Sequence, residues 1–270
     1  MGPCAHVTFS TTGPTNDEAI LACAKGYQPE VIFYIGANGG VLPTTDTFKE
    51  LRNIAPCIHY QTDVEAEAWF DLLKQYRREG CFDLIVGQTG VKTDLVDMAT
   101  LMAIDVDAFK GAKSKNMLCG FSGTACDLSN YFPGISEWDG RAEILKGLSN
   151  HISFRPREPV GSYKGHVDFL KRCVIALNVS YTGLGTHHHV KWRVLEAAFA
   201  DCVLLEMKDS PTKDWFPESS YLVYETIDNA KRIIKYAKIS EMTSIASQFS
   251  SYARKHYMPR QIFNSILGAL

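Results

Sequence analysis

Residues 174–207 read VIALNVSYTGLGTHHHVKWRVLEAAFADCVLLEM. An apolar, β-prone run at 174–179 leads into the polar, glycine-containing loop SYTGLGTHHH, and a segment with helical spacing of apolar residues follows. A second apolar run, CVLLEM, closes the stretch. This order predicts a βαβ unit, in which ligands collect where the loop meets the N-terminus of the helix. The charges at that point are Lys191, Arg193 and Glu196.

The segments around this unit continue the same alternation of strands and helices. Further strands are predicted at 116–123, 151–154 and 219–225. Helices are predicted at 141–148, 163–172, 227–237 and 241–256, with a last helix starting at Pro259. The second half of the chain is therefore predicted to form a parallel-sheet α/β domain.

The first half shows a second alternation of the same kind. Strands are predicted at 6–12, 30–37, 56–63 and 81–90, and helices after a Thr15 cap, at 44–55 and at 65–79. The order β-α-β-α-β-α-β implies a parallel sheet whose strand ends share one edge. The polar stretch DVDAFKGAKSKN (105–116) is interpreted as the linker, so the domains are predicted to be 1–110 and 111–270.

Composition narrows the class of protein. The apolar fraction is 46%, the formal net charge is −2, and no run of about 18 apolar residues occurs. These values disfavour recruitment of nucleic acid and a transmembrane segment. The N-terminus lacks the basic and apolar regions of a signal peptide, and the eight cysteines form no CxxC pair. Reduced, core-filling thiols in the cytoplasm are predicted.

Several motifs resemble the nucleotide-sugar glycosyltransferases with the GT-B fold. RVLEAAFADCVLLEM is similar to the R-x-x-E-A-x-A-x-G-x-x-L segment of glycosyltransferase families 1 and 4 and their bacterial or viral relatives. CVIALNVSY (173–181) is similar to the strand that precedes it in those proteins, and 215–267 resembles their C-terminal tail. The resemblance is specific over roughly 140–260 and loose before that. It implies two Rossmann-like domains that face a cleft, with the C-terminal helices packing back.

The resemblance implies a metal-independent hexosyl- or pentosyltransferase without a cofactor. It would move a sugar from a nucleotide-sugar donor to a glycan or lipid-linked acceptor, in polysaccharide biosynthesis. One alternative is a non-catalytic module of the same fold that binds a nucleotide-sugar or a glycan. Another is a nucleotide-sugar epimerase.

Peripheral membrane contact through the basic stripe Lys231, Arg232 and Lys235 is a further alternative to a solvated helix face. The chain is short for this fold, so it is expected to have a minimal N-terminal domain or to be part of a longer multi-domain protein.

The donor residues that the resemblance implies lie in the second half of the chain. In this reading Arg193 and Lys191 stabilise the diphosphate charge, and Glu196 accepts hydrogen bonds from the ribose hydroxyls. The full predicted set is Gly120, Arg141, Asn178, Ser180, Gly185, His188, Lys191, Arg193 and Glu196. The alternative for Arg193 and Glu196 is a surface ion pair one helical turn apart.

The acceptor side is predicted from the first half of the chain. Asp63 follows the strand 56–63 and is the candidate catalytic base, with a helix N-cap as its alternative. Asn38 and Gly39 are candidate acceptor-side contacts, with a plain turn as their alternative. His59 lies inside the strand and is predicted to be a buried, hydrogen-bonded core histidine.

Two positions depart from the family pattern. His188 stands where the E-x7-E motif has its first glutamate, and Asp201 replaces the usual glycine. Retaining and inverting chemistry therefore both remain open.

Since adjacent side chains point in different directions, His187, His188 and His189 cannot all bind one ion, and no metal site is predicted. The loop IGANGG does not satisfy GxGxxG, which disfavours a dinucleotide site.

Overall fold

The computed structural model describes residues 17–36, 42–62, 70–88, 94–111, 113–123, 140–155, 163–181 and 188–270. Contacts divide the chain into two units. One unit is Met1–Thr100 with Ser265–Leu270, and the other is Leu101–Asn264. Each unit contains a parallel β-sheet, which confirms the predicted fold class.

The first unit holds a four-stranded parallel sheet in the order β1-β2-β3-β4. Its strands are β1 (Ile32–Gly36), β2 (Cys57–Gln61), β3 (Leu84–Gly87) and β4 (Met98–Ala99). Its helices are α1 (Asp17–Tyr27), α2 (Thr45–Ile54) and α3 (Phe70–Glu79). The predicted strand 6–12 and the Thr15 cap lie outside the described residues. The two-residue strand β4 was not predicted, since so short an element carries no periodicity in the sequence.

An aromatic cluster fills the core of this unit around His59. The His59 ring lies 5.1 Å from Tyr34, 5.5 Å from Tyr76 and 4.8 Å from Phe82, measured between centroids. His59 Nε2 is hydrogen-bonded to Gln61 Oε1 at 2.9 Å, and the residue is 1% exposed. The prediction of a buried, hydrogen-bonded core histidine is confirmed. Burial lowers the pKa of His59 to about 4.

We expect this histidine to make the first unit sensitive to acid. The imidazole is neutral when folded but titrates near 6.5 when unfolded, so its contribution is complete above pH 6.5 and is lost as the pH falls to about 4. The loss amounts to about 3 kcal/mol. Native-state hydrogen exchange of the β2 amides at pH 7, 5.5 and 4.5 measures it. The variant His59→Phe should flatten this dependence, whereas the exposed-site control His151→Phe should leave it unchanged; equal slopes in both variants would contradict the assignment.

The second unit holds a five-stranded parallel sheet in the order β6-β5-β7-β8-β9. Its strands are β5 (Met117–Phe121), β6 (Ser153–Phe154), β7 (Cys173–Leu177), β8 (Val203–Met207) and β9 (Leu222–Tyr224). Its helices are α4 (Gly140–Leu148), α5 (Tyr163–Leu170), α6 (Trp192–Phe199), α7 (Ile227–Lys235) and α8 (Ile239–His256). The last helix, α9 (Pro259–Gly268), begins in this unit, and its residues from Ser265 onward belong to the first unit. All five strands were predicted, with ends that differ by a few residues.

The strand order creates a switch point between β5 and β7. From β5 the chain runs through α4 to β6 on one side, and it returns through α5 to β7 on the other side. Where the winding direction of a parallel sheet reverses, the loops leaving the carboxyl ends of the two central strands separate and open a crevice. Those ends are followed by Ser122 and Gly123 after β5, and by Asn178 to Ser180 after β7.

The boundary between the units differs from the predicted linker. The sequence places it at 110/111, whereas contacts place it after Thr100 and return the last six residues to the first unit. The reason is packing of the polar segment on the second unit. Phe109 is buried and makes ring contacts with Tyr163 and Phe199, and Lys171 Nζ donates to the Lys110 carbonyl.

Five of the described cysteines are buried and free, which agrees with the prediction of core-filling thiols: Cys57, Cys81, Cys119, Cys173 and Cys202. Burial raises the pKa of Cys57 and Cys173 to about 12, so these thiols stay protonated at neutral pH. Within the described ranges, no helix combines the length and hydropathy that crossing a membrane requires.

Asp201 ends α6 in a left-handed conformation, with φ at 54°. Cys202 N donates to the Ala197 carbonyl and Asp201 N to the Ala198 carbonyl, which is the hydrogen-bond pattern of a Schellman motif. Glycine is common at this position because it adopts positive φ without strain. The Asp201 carboxylate instead accepts a 2.6 Å hydrogen bond from Ser250 Oγ. Asp201 therefore keeps the turn that a glycine would form and adds a hydrogen bond to Ser250 on α8.

Substitutions at Asp201 should follow the cost of positive φ. We expect Asp201→Val to lower the free energy of unfolding by about 1 to 2 kcal/mol, because a β-branched residue strongly disfavours this conformation. Asp201→Asn should change it by about 0.5 kcal/mol or less, since asparagine tolerates the region. Denaturant unfolding of the two variants tests the difference. Equal stability of the valine and asparagine variants would show that backbone strain does not govern this site.

Candidate functional site

The candidate site lies in the second unit, at the β5/β7 switch point. Arg193, in the first turn of α6, extends over the end of β5, with its guanidinium carbon 5.0 Å from the centre of the Phe121 ring. A Cβ atom built on Gly123 would lie 2.5 Å from Arg193 Nη2. Any larger residue at position 123 would displace the guanidinium, so this glycine leaves room for it.

The Arg193 side chain is positioned by a hydrogen bond to Asn178 and by its contact with the Phe121 ring. Its Nη1 donates to Asn178 Oδ1 at 3.0 Å, while its Nε is buried and finds no partner among the described residues. Burial lowers the pKa of Arg193 to about 10, with nearby Glu196 opposing the shift and nearby Arg141 adding to it. The group stays cationic at neutral pH. A desolvated cation at a sheet edge attracts a negatively charged ligand strongly.

Asn178 connects Arg193 to a buried carboxylate. Its Nδ2 donates to Glu206 Oε2 at 2.8 Å, and Thr212 Oγ1 donates to the same oxygen at 2.8 Å. Glu206 Oε1 accepts from the Met207 amide at 2.9 Å. Burial raises the pKa of Glu206, and these hydrogen bonds oppose the shift. The network fixes the rotamer of Asn178, and through it the position of Arg193.

Glu196 belongs to a second hydrogen-bonded chain. It is 5% exposed, and its Oε2 lies 2.8 Å from His166 Nε2, while His166 Nδ1 lies 2.6 Å from Ser122 Oγ. Arg193 and Glu196 are one helical turn apart, yet each bonds to a different residue. The alternative of a solvated surface ion pair is therefore wrong, because α6 turns this face toward the sheet edge.

His188 contacts the residues that follow β7. Tyr181 and His188 form an antiparallel bridge, and their rings lie 4.6 Å apart. Ser180 Oγ is hydrogen-bonded to His188 Nδ1 at 2.8 Å, and Arg141 Nη2 donates to the Tyr181 carbonyl at 3.3 Å. Ser180, His188 and Arg141 are thus brought to the same end of the sheet as Arg193.

Two other predicted residues take positions at the margin of this group. Lys191 is the N-cap residue of α6, and its side chain makes no capping hydrogen bond to the helix. Gly120 lies inside β5, where an added Cβ would approach Cys173 Sγ to 2.3 Å and the Phe169 ring to 2.9 Å. Packing alone accounts for glycine there, and its contact with a donor stays a prediction.

The remaining predicted site residues lie outside the described part of the chain: Asp63, Asn38, Gly39 and Gly185. The first of the three adjacent histidines, His187, also lies outside it. Among the described residues, no three His, Cys, Asp or Glu side chains come together as a metal site.

Three residues that sequence reasoning missed organise the site. Glu206 could have been suspected, because a carboxylate inside the apolar run CVLLEM must find partners when the strand is buried. His166 and Ser122 carry no such signal. They meet Glu196 only because α5 packs beside α6 and the end of β5.

Comparison with known proteins identifies the fold. No protein-family model and no curated protein matches the sequence. Among solved structures, HepE from Anabaena in complex with UDP and glucose superposes with a TM-score of 0.60 at 11% identity, over 94% of this chain and 81% of HepE. The chain has the GT-B fold.

Two other GT-B structures match to a similar extent. Sucrose-phosphate synthase from Thermosynechococcus elongatus gives a TM-score of 0.57 at 9% identity, over 94% of this chain and 78% of that protein. The trehalose-6-phosphate synthase OtsA gives 0.57 at 12% identity, over 94% and 75%. At sequence identities this low, the structural matches establish the fold of this chain alone. The prediction of a GT-B architecture, made from the two successive α/β domains and the motifs over roughly 140–260, is confirmed.

Proposed function

We propose that this GT-B protein is a glycosyltransferase that moves a sugar from a nucleotide-sugar donor to a glycan or lipid-linked acceptor. The observation that carries the proposal is Arg193, a half-buried cation held by Asn178 at the switch point of the sheet. Glycosyl transfer leaves negative charge on the departing diphosphate, and a fixed cation at that place stabilises the transition state. HepE, with the same fold, was crystallised with UDP and with UDP-glucose.

Other residues of the second unit complete the donor site in this proposal. Arg141 and Lys191 add positive charge, and Asn178, Ser180, Gly185 and His188 are proposed to contact the phosphates and the sugar. Glu196, buried and already oriented by His166, accepts hydrogen bonds from the ribose hydroxyls. Side-chain cations and the N-terminus of α6 perform the charge stabilisation, so the reaction is proposed to need no metal and no cofactor.

The acceptor side is proposed for the first unit. Asp63 would act as the base that removes the proton from the acceptor hydroxyl, and Asn38 and Gly39 would contact the acceptor. The enzyme is proposed to act in the cytoplasm, in polysaccharide biosynthesis.

A donor panel tests this function. Isothermal titration against UDP-, GDP-, CMP- and TDP-sugars should show micromolar to millimolar binding of at least one class. The sugar should then be released or transferred on incubation, at a rate that EDTA does not change. Absence of binding to every donor would overturn the proposal. Binding without turnover, together with no effect of Asp63→Ala, would favour a non-catalytic binding module.

A further inference from the structure

We propose that His166 is a positioning residue that sets the selectivity of the site for ribose over deoxyribose, although it is not itself a ligand contact. The proposal rests on the proposed function, since it concerns the nucleotide of that donor. It comes from a hydrogen-bonded chain of three side chains on three elements: Ser122 after β5, His166 on α5 and Glu196 on α6.

The geometry of the chain holds Glu196 from one side. His166 uses both ring nitrogens, Nδ1 at 2.6 Å from Ser122 Oγ and Nε2 at 2.8 Å from Glu196 Oε2. With the proton on Nε2, the imidazole donates to the carboxylate and accepts from the serine hydroxyl, so a neutral ring satisfies both bonds. The histidine side chain is 13% exposed and the glutamate side chain 7%, so neither is free to change rotamer.

Helix α5 orients the Glu196 carboxylate. Tyr163, one turn before His166, stacks its ring on the histidine at 5.9 Å, and burial together with the nearby charge of Glu196 raises the pKa of the Tyr163 hydroxyl. Arg193, on the same helix as Glu196, is directed to Asn178 instead. Among the described residues, the donor that orients the carboxylate is therefore His166 on α5, and a carboxylate has lone pairs left for a further donor after this bond.

A carboxylate held in this way discriminates between sugars. A site built to hydrogen-bond a hydroxyl rejects the analogue that lacks it, because its buried polar group is then left without that bond. If Glu196 could rotate, it would lose this discrimination while the rest of the nucleotide still bound. His166 therefore controls the ratio of the two affinities more than either affinity alone.

The test compares UDP with 2′-deoxy-UDP, and GDP with 2′-deoxy-GDP, by isothermal titration. We expect the wild-type protein to prefer the ribonucleotide of the better-binding pair by about tenfold or more. His166→Ala should reduce that preference to about threefold or less. His166→Gln should restore most of it, because the glutamine amide can donate to Glu196 and accept from Ser122.

Two controls separate selectivity from stability. His151→Ala removes an exposed histidine of the same unit and should leave the ratio unchanged. Ser122→Ala removes the far end of the chain and should lower the ratio by a smaller factor, which keeps the test decisive if His166→Ala does not fold. A purely structural role of His166 would weaken both nucleotides of a pair equally.

The outcomes are distinct. A collapsed ratio in His166→Ala, rescued in His166→Gln, supports the proposal. An unchanged ratio in folded His166→Ala, or in Ser122→Ala if that alone folds, overturns it and leaves the glycosyltransferase function intact. Equal wild-type affinity for ribose and deoxyribose forms overturns it as well. Wild-type protein that binds none of the four nucleotides overturns this inference, whereas the proposed function falls only if the CMP- and TDP-sugars of the donor panel fail to bind as well.

Discussion

Replacing Arg193 by alanine is expected to lower kcat/KM for donor turnover by about 100- to 1000-fold. Arg193 is the cation held at the switch point, and loss of one such preorganised group raises the barrier by about 2.7 to 4 kcal/mol. Arg193→Lys should recover only part of the rate, because an ammonium cannot keep the planar guanidinium contact with Phe121 while it bonds to Asn178. Initial rates of nucleotide release at several donor concentrations measure the effect.

The control for this prediction is Arg260→Ala, which removes an exposed arginine of α9 and should leave kcat/KM unchanged. Thermal unfolding of each variant shows whether any lost activity reflects lost structure. If folded Arg193→Ala kept kcat/KM within about threefold of the wild type, charge stabilisation would have to come from other groups, and Arg141 and Lys191 would be the next residues to test.

Replacing Asn178 by leucine is expected to destabilise the second unit by about 3 to 5 kcal/mol. Leucine has the same number and branching of side-chain heavy atoms as asparagine, so the substitution removes hydrogen bonds without opening a cavity. Buried Glu206 loses one of its two side-chain donors at 2.8 Å, and the Arg193 guanidinium loses its acceptor at 3.0 Å. A hydrogen bond to a charged group contributes about 1.5 to 3 kcal/mol, and two such bonds are lost. Native-state hydrogen exchange of the β7 and β8 amides reports the loss for this unit.

Two comparisons sharpen the Asn178 prediction. Thr212→Val removes only one donor to Glu206 and should cost about 1 to 3 kcal/mol. Asn150→Leu changes an exposed turn residue and should cost about 0.5 kcal/mol or less. A cost for Asn178→Leu no greater than that for Asn150→Leu would mean that the buried network contributes no stability.

The two predictions concern one network with two consequences. Glu206 and Thr212 fix Asn178, and Asn178 fixes Arg193. Asn178→Leu should therefore also reduce turnover at temperatures where the protein remains folded, since a free guanidinium must be ordered again in each transition state. Stability and activity are coupled at this position through a single side chain.

The sequence alone determined the class of the fold and most of its elements. Apolar runs such as 174–179 and CVLLEM are long enough to predict buried strands, and the spacing of Val194, Leu195, Ala198 and Phe199 predicts the helix between them. Their alternation dictates parallel sheets, because a parallel pair of strands needs a crossover that the helices supply. The same stretch placed Arg193 and Glu196 at the start of a helix that faces a sheet edge.

Only the tertiary structure decided how the site is assembled. Periodicity reports which face of an element is buried, but not which element covers it, so nothing in the sequence places β5 between β6 and β7. That order brings Ser122, Asn178 and Arg193 to one crevice from positions up to 71 residues apart in the numbering. The pairing of His166 with Glu196, and of Asn178 with Glu206, likewise exists only once the strands and helices are packed. Buried polar groups must find partners, and which partners they find depends on contacts between segments far apart in the chain.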